Sequence, residues 1–254
     1  MDQTYNPEHI ARRFAELKLR GVAEAFEERY HAALAEGTGI LEFVAGLLDE
    51  EAVGRKQRRF ERLLKAGNLD PADSIENYDD TLARSRGVDP AQVRDLIGCA
   101  FIDRPKNIVL AGAVGTGKTK LARTLAFEAA RRDYKAFFEN TRELVETLFQ
   151  AKDSYVFPKL YRKYVNADLL CLDDLAYMPF APEKVDFLFR LVFDRTEKKT
   201  GPVIVTTNTD VKEWWQFFPS KAMGMTFSDR ILGGAIGIKF TGASIRREGE
   251  KHAD

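Results

Sequence analysis

Cysteine and histidine are scarce in this 254-residue chain, which contains two cysteines and three histidines. Two cysteines do not make a disulfide framework, so the sequence favours a reducing, cytoplasmic setting. The histidines lack the spacing of zinc ligands, so zinc chemistry is not expected. The chain also lacks a run of eighteen apolar residues and a signal-peptide pattern in its first ten residues. Neither a membrane span nor an export signal is therefore expected.

An excess of charge of one sign is also missing, because 39 Lys and Arg balance 39 Asp and Glu. By count, residues 1–80 hold 11 basic and 17 acidic side chains, whereas residues 81–254 hold 28 and 22. Global charge therefore does not indicate a nucleic-acid-binding protein. A surface that binds nucleic acid would have to be a local basic patch.

Hydrophobic periodicity divides the chain into a small all-helical N-terminal domain, residues 1–66, and a larger domain, residues 67–254, with its core at about 100–245. Residues 8–66 are predicted to be helical with one break at Gly37–Gly39. In the larger domain, short apolar runs alternate with helical segments. Strands are predicted at 107–111, 135–139, 169–172, 203–207 and 236–240, and helices at 118–132 and 183–198. This alternation predicts an α/β fold, a parallel sheet covered by helices on both faces.

A phosphate-binding loop follows the first predicted strand. The pattern G-x-x-x-x-G-K-[ST] is matched by Gly112, Ala113, Val114, Gly115, Thr116, Gly117, Lys118 and Thr119. In such a loop, backbone N–H groups turn inward around the β-phosphate, and the N-terminus of the following helix adds a favourable dipole. Lys118 would neutralise the β- and γ-phosphates, and Thr119 would offer its hydroxyl to Mg²⁺. The strand–loop–helix context makes a chance match improbable, so the motif predicts ATP binding.

Polar residues follow two further apolar strands, and all of them should lie at the carboxyl edge of the sheet, where ligands bind in open α/β folds. Asp173 and Asp174 end the strand at 169–172, and Asn208 ends the strand at 203–207. Asp173 is predicted to hold Mg²⁺, Asp174 to polarise the attacking water, and Asn208 to hydrogen-bond the γ-phosphate or that water. As the structural alternative, Asp173 and Asp174 also suit a helix-capping pair, and Asn208 suits the start of a turn.

Two arginines and two basic clusters remain as candidates. Arg230 would act as a trans-acting arginine finger or form a surface salt bridge, and Arg246 carries a weaker signal. The basic clusters would bind DNA phosphates or form solvated faces. They comprise Arg55, Arg58, Arg59 and Arg62 in the first and Lys152, Lys159, Arg162 and Lys163, interleaved with aromatic residues, in the second.

The sequence resembles the IstB-type insertion-sequence ATP-binding proteins, which are related to the DnaC helicase loaders within the AAA+ ATPases. The resemblance covers most of the chain. It rests on residues 15–26, 43–48 and 50–62 of the helical part and on 112–120, 144–148, 169–175, 205–208, 228–232 and 242–246 of the larger part. One departure is Lys120, which stands where the family usually has His.

The resemblance implies that Arg230 is a finger acting on the neighbouring subunit's ATP and that Arg246 is a second nucleotide sensor. It also implies a homo-oligomer with ATP sites between subunits, which assembles on double-stranded DNA and assists an IstA-type transposase. The segment after the second strand would lie along the DNA. Two other functions stay open: a DnaC-like helicase loader, and a DNA-coating protein that uses ATP as an assembly switch with little turnover.

Overall fold

The computed structural model describes residues 6–175 and 181–242. The chain forms two compact units, residues 1–62 and 63–254. Within the described residues, no helix is both long enough and apolar enough to cross a membrane.

The first unit consists of helices whose core is formed by Val22, Phe26 and Leu47. Its helices are α1 (Pro7–Glu16), α2 (Arg20–Glu36) and α3 (Ile40–Gly67), and the last residues of α3 belong to the second unit.

The predicted break at Gly37–Gly39 is confirmed, since Gly37 ends α2 in the left-handed conformation with φ 69°. A second break at residues 17–19 was missed, so the prediction of one uninterrupted helix before Gly37 is wrong. The reason lies in α3, where buried Glu51 accepts hydrogen bonds from the N–H groups of Gly21 and Val22 at 2.8 and 3.3 Å. Such a carboxylate stabilises a new helix N-terminus.

The second unit is an α/β fold preceded by short helices. Its elements are α4 (Asp80–Ser85), α5 (Pro90–Ile97), α6 (Ala100–Asp103), β1 (Ile108–Gly112), α7 (Lys118–Arg131), β2 (Ala136–Asn140), α8 (Thr141–Ala151), α9 (Phe157–Val165), β3 (Leu169–Asp173), α10 (Pro182–Lys198), β4 (Val203–Thr207), α11 (Lys221–Leu232) and β5 (Ile236–Phe240). Short 3₁₀ helices lie at Pro71–Asp73, Ile75–Asn77 and Val211–Phe217.

The five strands form one parallel sheet in the order β2-β3-β4-β1-β5. The predicted parallel α/β fold is therefore confirmed. Helix α7 packs against β1, β2, β3 and β4. The apolar core on the opposite side includes Leu148, Leu170, Val205 and Phe227, which come from α8, β3, β4 and α11. With helices on both sides, the carboxyl ends of β1, β3 and β4 form one shared edge, where the phosphate-binding loop begins.

The amino-terminal edge of the sheet is held by a buried arginine. Arg195 of α10 is 1 % exposed. Its guanidinium donates to the carbonyl oxygens of Tyr164, Val165, Ala167, Gly201 and Pro202 at 2.6–3.2 Å. Burial lowers the pKa of Arg195 to about 10, which still leaves it charged at neutral pH. One cation thus satisfies carbonyl groups of the chain that leads into β3 and β4.

Candidate nucleotide site and basic surfaces

The phosphate-binding loop joins β1 to α7 and takes its shape from glycine. Gly115 and Gly117 have φ of 78° and 101°, values that L side chains rarely adopt, and Gly117 is the N-cap of α7. Lys118 is buried, and its Nζ donates to the carbonyl oxygens of Gly112 and Ala113, each at 2.8 Å. Burial lowers the pKa of Lys118, whereas the carboxylates of Asp174 and Asp173 act in the opposite direction. The ammonium group therefore lies where the loop would receive phosphate.

Asp173 is the carboxylate closest to the loop hydroxyl. Its Oδ1 and Oδ2 lie 3.0 and 3.3 Å from the Thr119 Oγ1, and the Thr206 hydroxyl donates to Oδ1 at 2.6 Å. Burial raises the pKa of Asp173, and the hydrogen bond from Thr206 opposes that shift. The hydroxyl of Thr141 donates to the backbone carbonyl oxygen of Asp173 at 2.7 Å and so also holds the main chain at this residue. The structure thus brings together the two residues predicted to hold Mg²⁺.

Thr206 was missed by the sequence analysis. Besides donating to Asp173, its Oγ1 accepts the backbone N–H of Asp174 at 2.9 Å. It is 1 % exposed and lies in β4, which pairs with β3 through Leu172 and Val205. The available signal was the pair of threonines, Thr206 and Thr207, that ends an otherwise apolar strand. Thr206 positions both acids.

Asp174 is exposed and has a left-handed backbone with φ 55°. Asp adopts this conformation more readily than most residues with a side chain. The turn therefore directs Asp174 away from the buried strand and towards solvent. This backbone gives a conformational reason for Asp, rather than the longer Glu, at the position proposed to polarise water.

Asn208 is exposed at the end of β4, and its Oδ1 accepts the hydroxyl of Thr209 at 3.2 Å. It lines a cavity of about 730 Å³ that extends along β1 and β5 and also includes Gly112 and Ala113 of the loop. Asn208 and the start of the loop therefore lie at one cavity. The side chain also belongs to the turn that follows β4, as the structural alternative predicted.

A second, smaller cavity of about 120 Å³ is lined by Thr116 and Gly117 of the loop and by Lys120. Asn77 and Tyr78, from the stretch that precedes the first predicted strand, also line it. Burial raises the pKa of Tyr78 to about 12, so its hydroxyl is protonated at neutral pH. The cavity is adjacent to the loop and offers a place for the base or sugar of a nucleotide.

The donors at the loop fit a magnesium nucleotide. The described part of the chain contains no cluster of three or more His, Cys, Asp or Glu side chains able to hold a metal ion alone. Mg²⁺ is commonly bound by one or two carboxylates together with phosphate and water oxygens. The oxygens of Thr119 and Asp173 match that partial set, because bound phosphates would supply the remainder.

Arg230 lies at the opposite edge of the sheet from the loop of its own chain. Its carbonyl oxygen accepts a hydrogen bond at 3.1 Å from the amide of Asn107, the residue before β1, whereas the loop follows the other end of β1. Five strand residues span about 16 Å. Within the single chain, Arg230 forms the salt bridge that was the alternative to a finger. Its side chain is 23 % exposed, pairs with Glu197 at 3.2 Å and lies 4.1 Å from the centre of the Phe193 ring.

The first basic cluster lies on α3 and is partly engaged within the first unit. Arg55 and Arg58 pair with buried Glu51 at 2.7 and 3.4 Å. Arg59 and Arg62 are exposed on the same helix. Glu51 also caps α2, so Arg55 and Arg58 have a structural role there. Arg246, the remaining candidate, lies outside the described residues.

The second basic cluster lies on α9 and on the turn before it. Lys152, Lys159 and Arg162 are exposed. Lys163 is instead packed against the sheet, 3.7 Å from Glu139 and 4.5 Å from the centre of the Phe137 ring. Three of the four predicted cations are thus accessible to a partner, whereas Lys163 is held by β2.

A family model for IstB-like ATP binding proteins matches residues 12–253. The chain belongs to this family. An insertion sequence IS5376 putative ATP-binding protein from Geobacillus stearothermophilus is 30 % identical over 230 residues, covering 91 % of this chain and 90 % of that protein. An IS21 putative ATP-binding protein from Pseudomonas aeruginosa is 30 % identical over 237 residues, covering 93 % and 88 %. The predicted resemblance to IstB-type proteins is therefore confirmed.

Solved structures place this IstB-like chain in the AAA+ fold. AMPPCP-bound DnaA from Aquifex aeolicus superposes with a TM-score of 0.55 at 19 % identity, covering 72 % of this chain and 56 % of that one. The DnaC helicase loader gives a TM-score of 0.52 at 17 % identity, covering 59 % of this chain and 87 % of that one.

Lys120 is the residue at which this sequence differs from the usual His of the family. Its ammonium group donates to the carbonyl oxygen of Ala72 and lies 3.6 Å from Asp73. Lys120 thus attaches the preceding linker to α7.

Proposed function

We propose that this IstB-like protein is a Mg²⁺-dependent ATPase that assembles on duplex DNA and assists the transposase of an insertion sequence. The observation that carries the proposal is the contact between Thr119 and Asp173 at 3.0 Å, beside a loop that holds Lys118 buried. Together these side chains form the start of a magnesium–phosphate site, and the family assignment adds the context of insertion sequences.

Each residue has a separate role at the γ-phosphate. Lys118 exchanges its two carbonyl acceptors for β- and γ-phosphate oxygens, and the loop amides surround the β-phosphate. Thr119 and Asp173 would hold Mg²⁺, which would supply positive charge beside the phosphates. Asp174 orients the attacking water, and Asn208 hydrogen-bonds that water or the γ-phosphate. The product is ADP and phosphate.

Arg230 completes the site of a neighbouring subunit rather than its own. An arginine side chain reaches about 7 Å at most, since each bonded atom adds little more than 1 Å, so it does not span the length of β1. In an assembly, Arg230 would leave Glu197 and Phe193 and contact the γ-phosphate bound by the adjacent copy. The ion pair with Glu197 is partly exposed and weak, so exchanging it for phosphate is favourable.

Duplex DNA is the partner that the exposed cations of α9 fit best. Lys152, Lys159 and Arg162 are accessible, and phosphate neutralisation with release of counterions would supply the affinity. Contacts to the backbone carry little sequence information, which suits a protein that prepares varied target sites. The proposal of a transposase partner rests on the relatives, which are ATP-binding proteins of insertion sequences.

The test measures ATP hydrolysis and binding to a duplex of about fifty base pairs, long enough for several backbone contacts. Lys118→Ala is expected to abolish nucleotide binding and, with it, DNA assembly. Arg230→Ala is expected to keep nucleotide binding and lower turnover on DNA by about 10³-fold or more. Arg190→Ala is the matched control, because Arg190 is an exposed arginine paired with Asp186 on the same helix as Glu197. Normal turnover by Arg230→Ala on DNA would rule out the trans finger.

A further inference from the structure

The turn between α8 and α9 exposes an aromatic ring. Tyr155 is 94 % exposed, and the next residue, Val156, is 42 % exposed. The neighbouring aromatic residues behave differently, since each packs against another ring: Phe149 on Phe187, Phe157 on Tyr161 and Phe187, and Tyr164 on Phe137. Burying a large aromatic ring is favourable, so a ring that stays in water while each of its aromatic neighbours packs against another ring marks a contact surface.

The turn that carries Tyr155 is fixed by hydrogen bonds on both sides. The N–H of Ser154 donates to Ala151 at 2.8 Å, and the N–H of Phe157 donates to Ser154 at 3.1 Å. The hydroxyl of Ser154 accepts the N–H of Val156 at 3.3 Å. Behind the turn, the Phe157 ring stacks on Tyr161 with centroids 5.5 Å apart. A fixed backbone loses little conformational entropy when the ring is inserted into a partner.

Cations lie on both sides of the ring along the chain. Lys152 precedes Tyr155 by three residues, and Lys159 and Arg162 follow it by four and seven, all exposed. Asp153 is the one acidic residue between positions 152 and 163. An aromatic ring between cations matches a nucleic acid strand, in which bases alternate with phosphates.

We propose that Tyr155 is a base-stacking wedge, which inserts its ring at a base step of duplex DNA while Lys152 and Lys159 hold phosphates on either side. The inference rests on the proposed function and adds to it a preferred substrate, duplex DNA that is easily unstacked. Pyrimidine–purine steps such as TA are the most flexible, so the wedge favours them without any hydrogen bond to a base. Wedge insertion also kinks the duplex.

The experiment uses the full-length protein with ATP and Mg²⁺ and a duplex that carries 2-aminopurine, whose fluorescence rises when the base is unstacked, at a central TA step. Tyr155→Ala is expected to raise the Kd by about 5- to 100-fold and to remove the fluorescence rise at saturation. Tyr155→Phe should retain both. Lys159→Ala is the matched control: it should reduce the slope of log K against log salt by about 0.9 and keep the fluorescence rise.

The outcomes separate the wedge from the proposed function. Absence of duplex binding by the wild type would overturn both. Duplex binding by the wild type with equal affinity and fluorescence in Tyr155→Ala would overturn only the wedge. An effect of Tyr155→Ala confined to single-stranded DNA would also overturn it, because the ring would then stack on bases that are already open. Normal DNA binding by Tyr155→Ala with loss of transposition would assign the ring to a protein partner instead.

Discussion

Replacing Thr206 by valine tests whether a hydroxyl on β4 positions the carboxylate of the proposed magnesium site. Valine has nearly the shape of threonine, so the change removes one hydroxyl and leaves the packing of the strand in place. That hydroxyl makes two hydrogen bonds, one to Asp173 Oδ1 at 2.6 Å and one from the N–H of Asp174 at 2.9 Å. Without it, Asp173 keeps Thr119 as a donor but loses its shortest hydrogen bond, and the N–H of Asp174 loses its acceptor.

The magnitude follows from these two bonds. A hydrogen bond to a charged group contributes about 1.5–3 kcal/mol, and the partly buried hydrogen bond from the N–H of Asp174 contributes about 0.5–1.5 kcal/mol. Part of this loss appears in the free energy of unfolding, where about 2 kcal/mol is expected. The rest of the lost hydrogen-bond energy appears as weaker positioning of the Asp173 carboxylate. Removing a hydrogen-bond partner of a metal ligand typically lowers metal affinity or activity by about 10- to 100-fold.

The assay compares binding of a fluorescent ATP analogue in Mg²⁺ and in EDTA. Thr206→Val is expected to weaken binding by about 10-fold or more in Mg²⁺ and to change it little in EDTA. Thr207→Val is the matched control on the same strand. The Thr207 hydroxyl accepts from Thr209 and Trp214 and does not contact Asp173. Equal losses with and without Mg²⁺ in Thr206→Val, or normal affinity in both, would refute the positioning role.

Two further predictions concern stability. Arg195→Met should lower the free energy of unfolding by about 3 kcal/mol or more, because it leaves several buried carbonyls without a donor. Urea denaturation should show a change of about 0.5 kcal/mol or less for the exposed control Arg190→Met. Glu51→Gln should destabilise the first unit by about 1–3 kcal/mol, measured by hydrogen exchange in α2. Glu50→Gln, which alters an exposed pair with Arg29, should cost about 1 kcal/mol or less, and equal effects would argue against the cap.

The parts that were predictable from the sequence are those carried by contiguous residues. The phosphate-binding loop needs glycines, Lys118 and Thr119 in one stretch, and the strand before it is a short apolar run. Asp173 was predictable for the same reason, because it ends an apolar strand. Thr206 was not, because its role arises only when β3 and β4 pair in a register that sets it beside Asp173.

The helices that the sequence analysis missed show a second limit of prediction from sequence. Residues 70–103 form short helices that are too brief for a clear hydrophobic period, and Asp70 and Asp89, each followed by proline, cap two of them. Asp-Pro pairs are also common in turns and loops, so neither pair by itself predicts a helix. Helix α11 was missed partly because Gly224 lies inside it. Glycine is needed at position 224 because a Cβ there would collide with the backbone of Trp215.

The position of Arg230 also determines how many complete ATP sites an assembly of this protein would have. The phosphate-binding loop and Arg230 lie at opposite edges of one chain, so subunits joined by the proposed contact between them would meet head to tail. Such contacts either close into a ring or continue as a filament. A ring has as many complete sites as subunits. A filament has one fewer, because the subunit at one end receives no arginine from a neighbour. The subunit at that end would therefore hydrolyse its ATP most slowly. An ATP-bound subunit would then persist at the place where the filament stopped growing.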